Sequence, residues 1–165
     1  MPELLLAGVI VASNRAARGV YADTTGPLIV EALGELGFTV EEPLVVEDGA
    51  PVGQAIASYV EAGAAVVLTT GGTGLSPTDR TPEFTRPLLD REVPGIAEAI
   101  RAAGLAQGIP TAVLSRGLAG VAGDCLVVNL PGSRGGVKDA LTVLHPILRH
   151  AVDQLAGGDH PRTEP

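Results

Sequence analysis

The stretch AAVVLTTGGTGLSPTDRTPE, residues 64–83, carries an apolar segment into Thr69-Thr70, then a glycine-rich turn, an aspartate, and Thr81-Pro82-Glu83. The apolar segment, residues 64–70, reads as a buried strand. Thr-Pro-Glu reads as the opening of a short helix, with Pro82 at a position that needs no N–H. A strand that passes the chain through a flexible turn to a helix start is a common anion cradle. The carboxylate of Asp79 inside the turn adds nothing to a site for phosphate alone. A loop that also holds a metal ion gains from it.

Outward from this unit the same alternation recurs. Residues 4–12 and 38–46 read as strands, as do 111–115 and 124–130. Between them the apolar spacing predicts helices over 27–36, 51–61 and 95–106, and a long one over 137–155 that Pro146 kinks. Gly37 ends the first, Pro87 ends or kinks the short one near Thr81, and Asp23, Thr24 or Thr25 caps the segment before Pro27. Strand–helix alternation throughout predicts an α/β fold with a doubly wound parallel sheet. The expectation is one domain over 1–156 and a mobile tail over 157–165, with no internal repeat.

Composition narrows the function. The chain has 165 residues, 45% of them hydrophobic but only 2% aromatic, so the core is built from Val, Leu, Ile and Ala. Such a core suits parallel strands covered on both faces. A net charge of −8 argues against a broad nucleic-acid-binding surface. It leaves room for a small phosphorylated ligand, held by local N–H groups and a few cations. The single cysteine, Cys125, excludes a disulfide framework and a cysteine-rich metal site; it lies in an apolar run and reads as core. The first apolar run lacks a basic flank and is too short to span a bilayer, so a cytoplasmic protein without membrane contact is expected.

In a doubly wound sheet the loops after the strands gather along one edge. Gly71-Gly72-Thr73-Gly74 is neither a P-loop nor a dinucleotide fingerprint. It reads as a cradle for phosphate or a ring, with hydroxyls from Thr73 and Ser76, or else as a plain turn. Asp48 and Asp79 each follow a strand by a few residues. With Mg²⁺ between them they would clamp a polyphosphate; without it each would simply cap a helix. LPGSRGGVKDAL, residues 130–141, offers a second cradle at Gly132 and Ser133, with charge from Arg134 and Lys138, or an ordinary strand-to-helix turn. Ser115-Arg116 reads as a turn. His145, His150 and His160 read as surface or packing residues.

Taken together, TTGGTG, PTDRTPE, PLLDREVPG, LSRGLAG and NLPGSRGGVKDAL resemble the molybdenum-cofactor biosynthesis family that includes the Mog- and MoaB-type molybdopterin adenylyltransferases. The resemblance runs from Gly8 to about Leu155. It implies a three-layer α/β fold, usually trimeric. It also implies transfer of AMP from MgATP to the terminal phosphate of molybdopterin, release of pyrophosphate, and hand-over to a molybdate-inserting protein. By motif, Asp48 and Asp79 match the family's two essential acids and would hold the metal. Gly71, Gly72, Thr73, Gly74, Ser76, Ser115, Pro131, Gly132 and Ser133 match its pterin- and phosphate-binding loops, joined by Ser13 and Thr70 at their strand ends. Where the family often has Ser-Asp after the first strand, this chain has Ser13-Asn14; the asparagine keeps an oxygen acceptor, so a small effect is expected. A non-catalytic pterin-binding or scaffold member of the family is the alternative.

Overall fold

The computed structural model describes residues 4–20 and 22–158. Its strands are β1 (Leu6–Ala12), β2 (Thr39–Val40), β3 (Leu44–Val46), β4 (Val66–Thr70), β5 (Arg91–Glu92), β6 (Ala119–Ala122) and β7 (Cys125–Leu130). Its α-helices are α1 (Asn14–Ala17), α2 (Gly26–Glu35), α3 (Ala50–Glu61), α4 (Thr81–Thr85), α5 (Pro94–Ala106), α6 (Arg134–Leu144) and α7 (Leu148–Leu155). One sheet runs in the order β2-β1-β4-β7-β6-β5, with β3 also beside β1. β1 to β4 and β7 pair in parallel; β5 and β6 are antiparallel.

Side chains along the strands alternate between two cores, as the period-2 pleat demands. Val9, Val66, Leu68, Val128 and Leu130 face one side, under α2, α5, α6 and α7. Ile10, Val67, Cys125 and Val127 face the other, under α3. The result is three layers, helices on both faces of a mostly parallel sheet. On the α3 face Gly8 makes room for an aromatic ring: a Cβ there would stand 2.6 Å from Cγ of Tyr59.

Four sequence expectations are corrected. Residues 111–115 are not a strand; Pro110–Leu114 form a 3-10 turn. Their apolar side chains line a cavity or face outward, Val113 being 55% exposed. The strand belongs instead to Ala119–Ala122, which turns through Gly123-Asp124 into β7 as a two-residue hairpin, Ala122 paired with Cys125. Gly-Asp between two apolar runs is a hairpin signal, and it makes this end of the sheet antiparallel. The segment 38–46 breaks in two, since Pro43 has no N–H for the ladder. Pro146 separates α6 from α7 rather than kinking one helix, for the same lack of a donor. The turn after β1 also contains a short helix, α1, capped by Ser13. Before α2, Asp23 Oδ1 accepts from the amides of Thr25 and Gly26 at 3.2 and 3.0 Å. Residues 159–165, with His160 and most of the expected tail, lie outside the described residues.

Candidate functional site

The carboxyl ends of β1, β4 and β7 lie side by side, and the loops leaving them build the site. At the end of β4 two glycines take left-handed conformations, φ +91° at Gly71 and +69° at Gly72. Their smallness serves the protein itself. A Cβ on Gly71 would collide with the Ala12 carbonyl oxygen, and one on Gly72 with Asp48 Oδ2 and Thr81 Oγ1. The glycine pair lets three loops close on one another. Thr70, fully buried, donates its hydroxyl to the Pro131 carbonyl at 2.6 Å, and the Gly71 amide donates to Leu130 O at 3.2 Å.

A cavity of about 610 Å³ opens between the glycine loop, α5, the 3-10 turn and the start of α6. One wall is apolar, made by Ile100, Gly104, Ile109, Ala112 and Leu114. Gly104 is needed there, since a Cβ would stand 2.6 Å from that of Ala112. The rest of the lining is polar: Gly72, Thr73, Gly74, Ser115, Pro131, Gly132 and Ser133 contribute, with Arg101 and Lys138 adding positive charge and Asp79 and Asp139 negative charge. Ser133 caps α6, accepting from the Gly136 amide at 3.1 Å, so the helix start abuts the cavity. Cations and helix-start amides in one cavity with a cluster of apolar residues suit a heterocycle that carries phosphate. A second cavity of about 210 Å³ lies on the other side of Gly71 and Gly132, lined by Ser13, Asp23, Thr24, Thr25 and Thr70 among others.

The two acids sit on neighbouring loops, Asp48 between β3 and α3 and Asp79 between β4 and α4, and do different things. Asp79 lines the large cavity, and its Oδ2 accepts from the Ser76 amide at 3.1 Å. Asp48 lies behind Gly72. Its Oδ1 accepts from the Gly49 amide at 2.7 Å and the Thr81 hydroxyl at 3.1 Å, and its Oδ2 from the Arg80 amide at 3.2 Å. Neither caps its own helix: Gly49 and Arg80 hold the cap positions of α3 and α4. The oxygen that Asn14 retains is used, since Asn14 Oδ1 accepts from the Asp48 amide at 3.0 Å.

Of the other residues expected from sequence, Thr73 and Ser115 are coupled, the Ser115 hydroxyl donating to Thr73 Oγ1 at 3.2 Å. Ser13 spends its Oγ on the α1 amide of Ala16. Ser76 is exposed and contributes an amide to Asp79 rather than a place on the cavity wall. Arg134 donates to Thr24 O, away from the wall that Lys138 occupies. Sequence reasoning missed Arg101, whose Nη1 donates to Ser115 O and Gly117 O. A cation beside the buried Ile96, Ala97 and Ile100 of α5 was its signal. Cys125 is buried, and burial pushes its thiol up to about 12. Exposed His145 and His150 are surface residues, as expected.

The fold and cavity define an α/β domain with a ligand-sized cavity at the carboxyl edge of its sheet. Residues 8–150 match the family model described as a probable molybdopterin binding domain, and the chain belongs to that family. A molybdopterin adenylyltransferase of Pyrococcus furiosus is 37% identical over 158 residues, covering 91% of this chain and 93% of that protein. A molybdenum cofactor biosynthesis bifunctional protein of Synechococcus elongatus is 40% identical over 157 residues; this chain spans about half of its length, 49%. The structure of the molybdopterin biosynthesis Mog protein from Mycobacterium ulcerans superposes with a TM-score of 0.89 at 52% identity, covering 94% of this chain and 99% of that one.

Proposed function

We propose that the protein is a molybdopterin adenylyltransferase, moving AMP from MgATP to the terminal phosphate of molybdopterin and releasing pyrophosphate. The observation that carries this reading is the cavity. It offers apolar residues for a ring, Arg101, Lys138 and the start of α6 for phosphate, and the Asp79 carboxylate beside the glycine loop, with Asp139 also on the lining. Relatives that match over nearly their whole length bear this activity in their names.

The substrate phosphate is the nucleophile: its oxygen bonds to the α-phosphorus of ATP as the bond to pyrophosphate breaks. The protein supplies alignment and charge, and no covalent intermediate is needed. Among the described residues no group of three or more His, Cys, Asp or Glu forms a metal cage. That donor set fits Mg²⁺ arriving already chelated by the triphosphate, an ion that keeps waters and takes one or two carboxylates. Asp79 would hold it from the cavity side, and Asp48, on the neighbouring loop behind Gly72, would be the second carboxylate. When bound, the ion offsets charge on the leaving phosphates. Apolar residues of α5 and the 3-10 turn exclude water from the ring, and Arg101 holds the Ser115 carbonyl in place.

A cytoplasmic location, where MgATP is made, a homotrimeric assembly and hand-over of the adenylated pterin to a molybdate-inserting protein belong to the same reading. They are supported by the family resemblance. No described helix is long and apolar enough to cross a membrane. Purified protein mixed with molybdopterin and MgATP should release pyrophosphate. Asp79→Asn should abolish release while leaving pterin binding intact. Tight pterin binding by wild-type protein without any pyrophosphate would instead make it a carrier.

A further inference from the structure

The loop that brings Asp79 to the cavity makes one turn of its own, the Asp79 amide donating to Ser76 O at 2.9 Å and the Ser76 amide to Asp79 Oδ2 at 3.1 Å. Leu75, Ser76, Pro77 and Thr78 are all exposed, and the loop's anchors come from a residue far along the chain. Arg116 follows the 3-10 turn that carries Ser115. Its Nε donates to the Gly74 carbonyl at 2.9 Å, and its Nη2 to the Asp79 carbonyl at 2.8 Å. Its Nη1 reaches both carboxylate oxygens of Glu83 in α4, at 2.6 and 3.0 Å. Its own amide donates to Thr73 O at 2.8 Å. One planar guanidinium therefore grips both ends of the exposed loop and the helix that follows it.

We infer that Arg116 is a positioning residue for adenylyl transfer: by fixing the span from Gly74 to Asp79, it sets where the Asp79 carboxylate stands over the cavity. The inference rests on the adenylyltransferase reading. Three edges of the guanidinium serve three partners at once, which a lysine ammonium cannot reproduce. The site of action is geometric rather than global. The Arg116 and Glu83 side chains are 37% and 49% exposed, and an ion pair so placed contributes little to folding. The other ties of Asp79, its carboxylate accepting from the Ser76 amide and its own amide donating to Ser76 O, lie within the loop and fix the turn rather than where the turn stands. A displacement of about 1 Å at a reacting group lowers rates by roughly a hundredfold.

The test compares wild type with Arg116→Lys, Arg116→Gln and Glu83→Gln, measuring kcat, KM for each substrate, thermal unfolding, and exchange of the Ser76 and Asp79 amide protons. Both Arg116 variants should lose about 10- to 100-fold in kcat, with the KM for molybdopterin and the unfolding temperature nearly unchanged. Glu83→Gln should lose less, because both carbonyl contacts survive. The Ser76 and Asp79 amides should exchange faster in both Arg116 variants. Wild-type kcat in Arg116→Lys, or amide exchange unchanged in both variants, overturns the inference. So does a loss of rate that merely follows a loss of folded protein. Failure of the wild-type protein to release pyrophosphate overturns the functional reading instead, and the amide exchange still decides whether Arg116 holds the loop.

Discussion

Two aspartates of the same loop cluster illustrate how burial of donors separates structural from chemical work. Asp48 receives three hydrogen bonds, two of them from backbone amides. In Asp48→Asn one oxygen becomes an NH₂ facing such a donor. That variant should lose about 1–3 kcal/mol of stability along with its activity, seen as a lowered midpoint in urea unfolding. Asp79→Asn keeps an oxygen for the single amide of Ser76, so its midpoint should stay close to wild type while turnover disappears. Cys125 supplies a third residue-scale outcome. Its thiol rises from an ordinary value of 9.0 to about 12 because burial penalises the thiolate. The folded protein should therefore resist iodoacetamide at pH 8, reacting only after denaturation; fast labelling of native protein would contradict the burial. The sign of linkage follows. The folded state keeps its proton longer than the unfolded one, so this group's contribution is fully present below pH 9 and is lost as pH rises toward 12.

Among the elements, α4 is the one that needs external support, since five residues make a poor helix alone. A buried asparagine ties it to the sheet. Asn129 Nδ2 donates to Thr69 Oγ1 at 2.9 Å and to Thr85 Oγ1 at 3.1 Å, while its Oδ1 accepts from the Leu118 amide. Asn129→Ala would strand that amide and the Thr69 hydroxyl and leave Thr85 only its bond to Thr81 O, and a loss of about 1–3 kcal/mol in chemical unfolding is expected. A polar residue inside the run CLVVNL was visible in the sequence, but its partners lie on β4 and α4, and spacing along one strand could not name them. The same limit explains the misread elements. Periodicity found β1, β4 and β7, whose apolar runs are buried on both faces, and it found α2, α3 and α5. It failed at 111–115, where an apolar run serves a cavity wall, at β6, whose antiparallel pairing with β7 turns on Gly123-Asp124, and at β5, a strand of two residues. Gly71 was read as leaving room for a ligand; the crowding is against Ala12, a neighbour that only the parallel register brings there.

Across the whole molecule, one rule of α/β sheets did much of the work: loops after parallel strands share an edge. It brought residues from β1, β3, β4 and β7 to one place, and motif resemblance then proposed which of them act. What no linear reading supplied was the far side of the cavity. Ile100, Arg101 and Gly104 come from α5, a helix whose inward face looks like ordinary packing until the 3-10 turn folds beneath it. Filling this space should be felt directly: Gly104→Leu drives a side chain toward Ala112 and into the ring wall, and a marked rise in KM for the pterin is expected in steady-state kinetics. The central claim is that this single cavity joins a nucleotide to a pterin phosphate. Mass spectrometry of the small molecules after incubation with molybdopterin and MgATP tests it most directly. A new species heavier than molybdopterin by one adenylyl group, formed by wild type and absent with Asp79→Asn, is the predicted result. Unmodified molybdopterin alongside unconsumed ATP, with correctly folded protein, would contradict it.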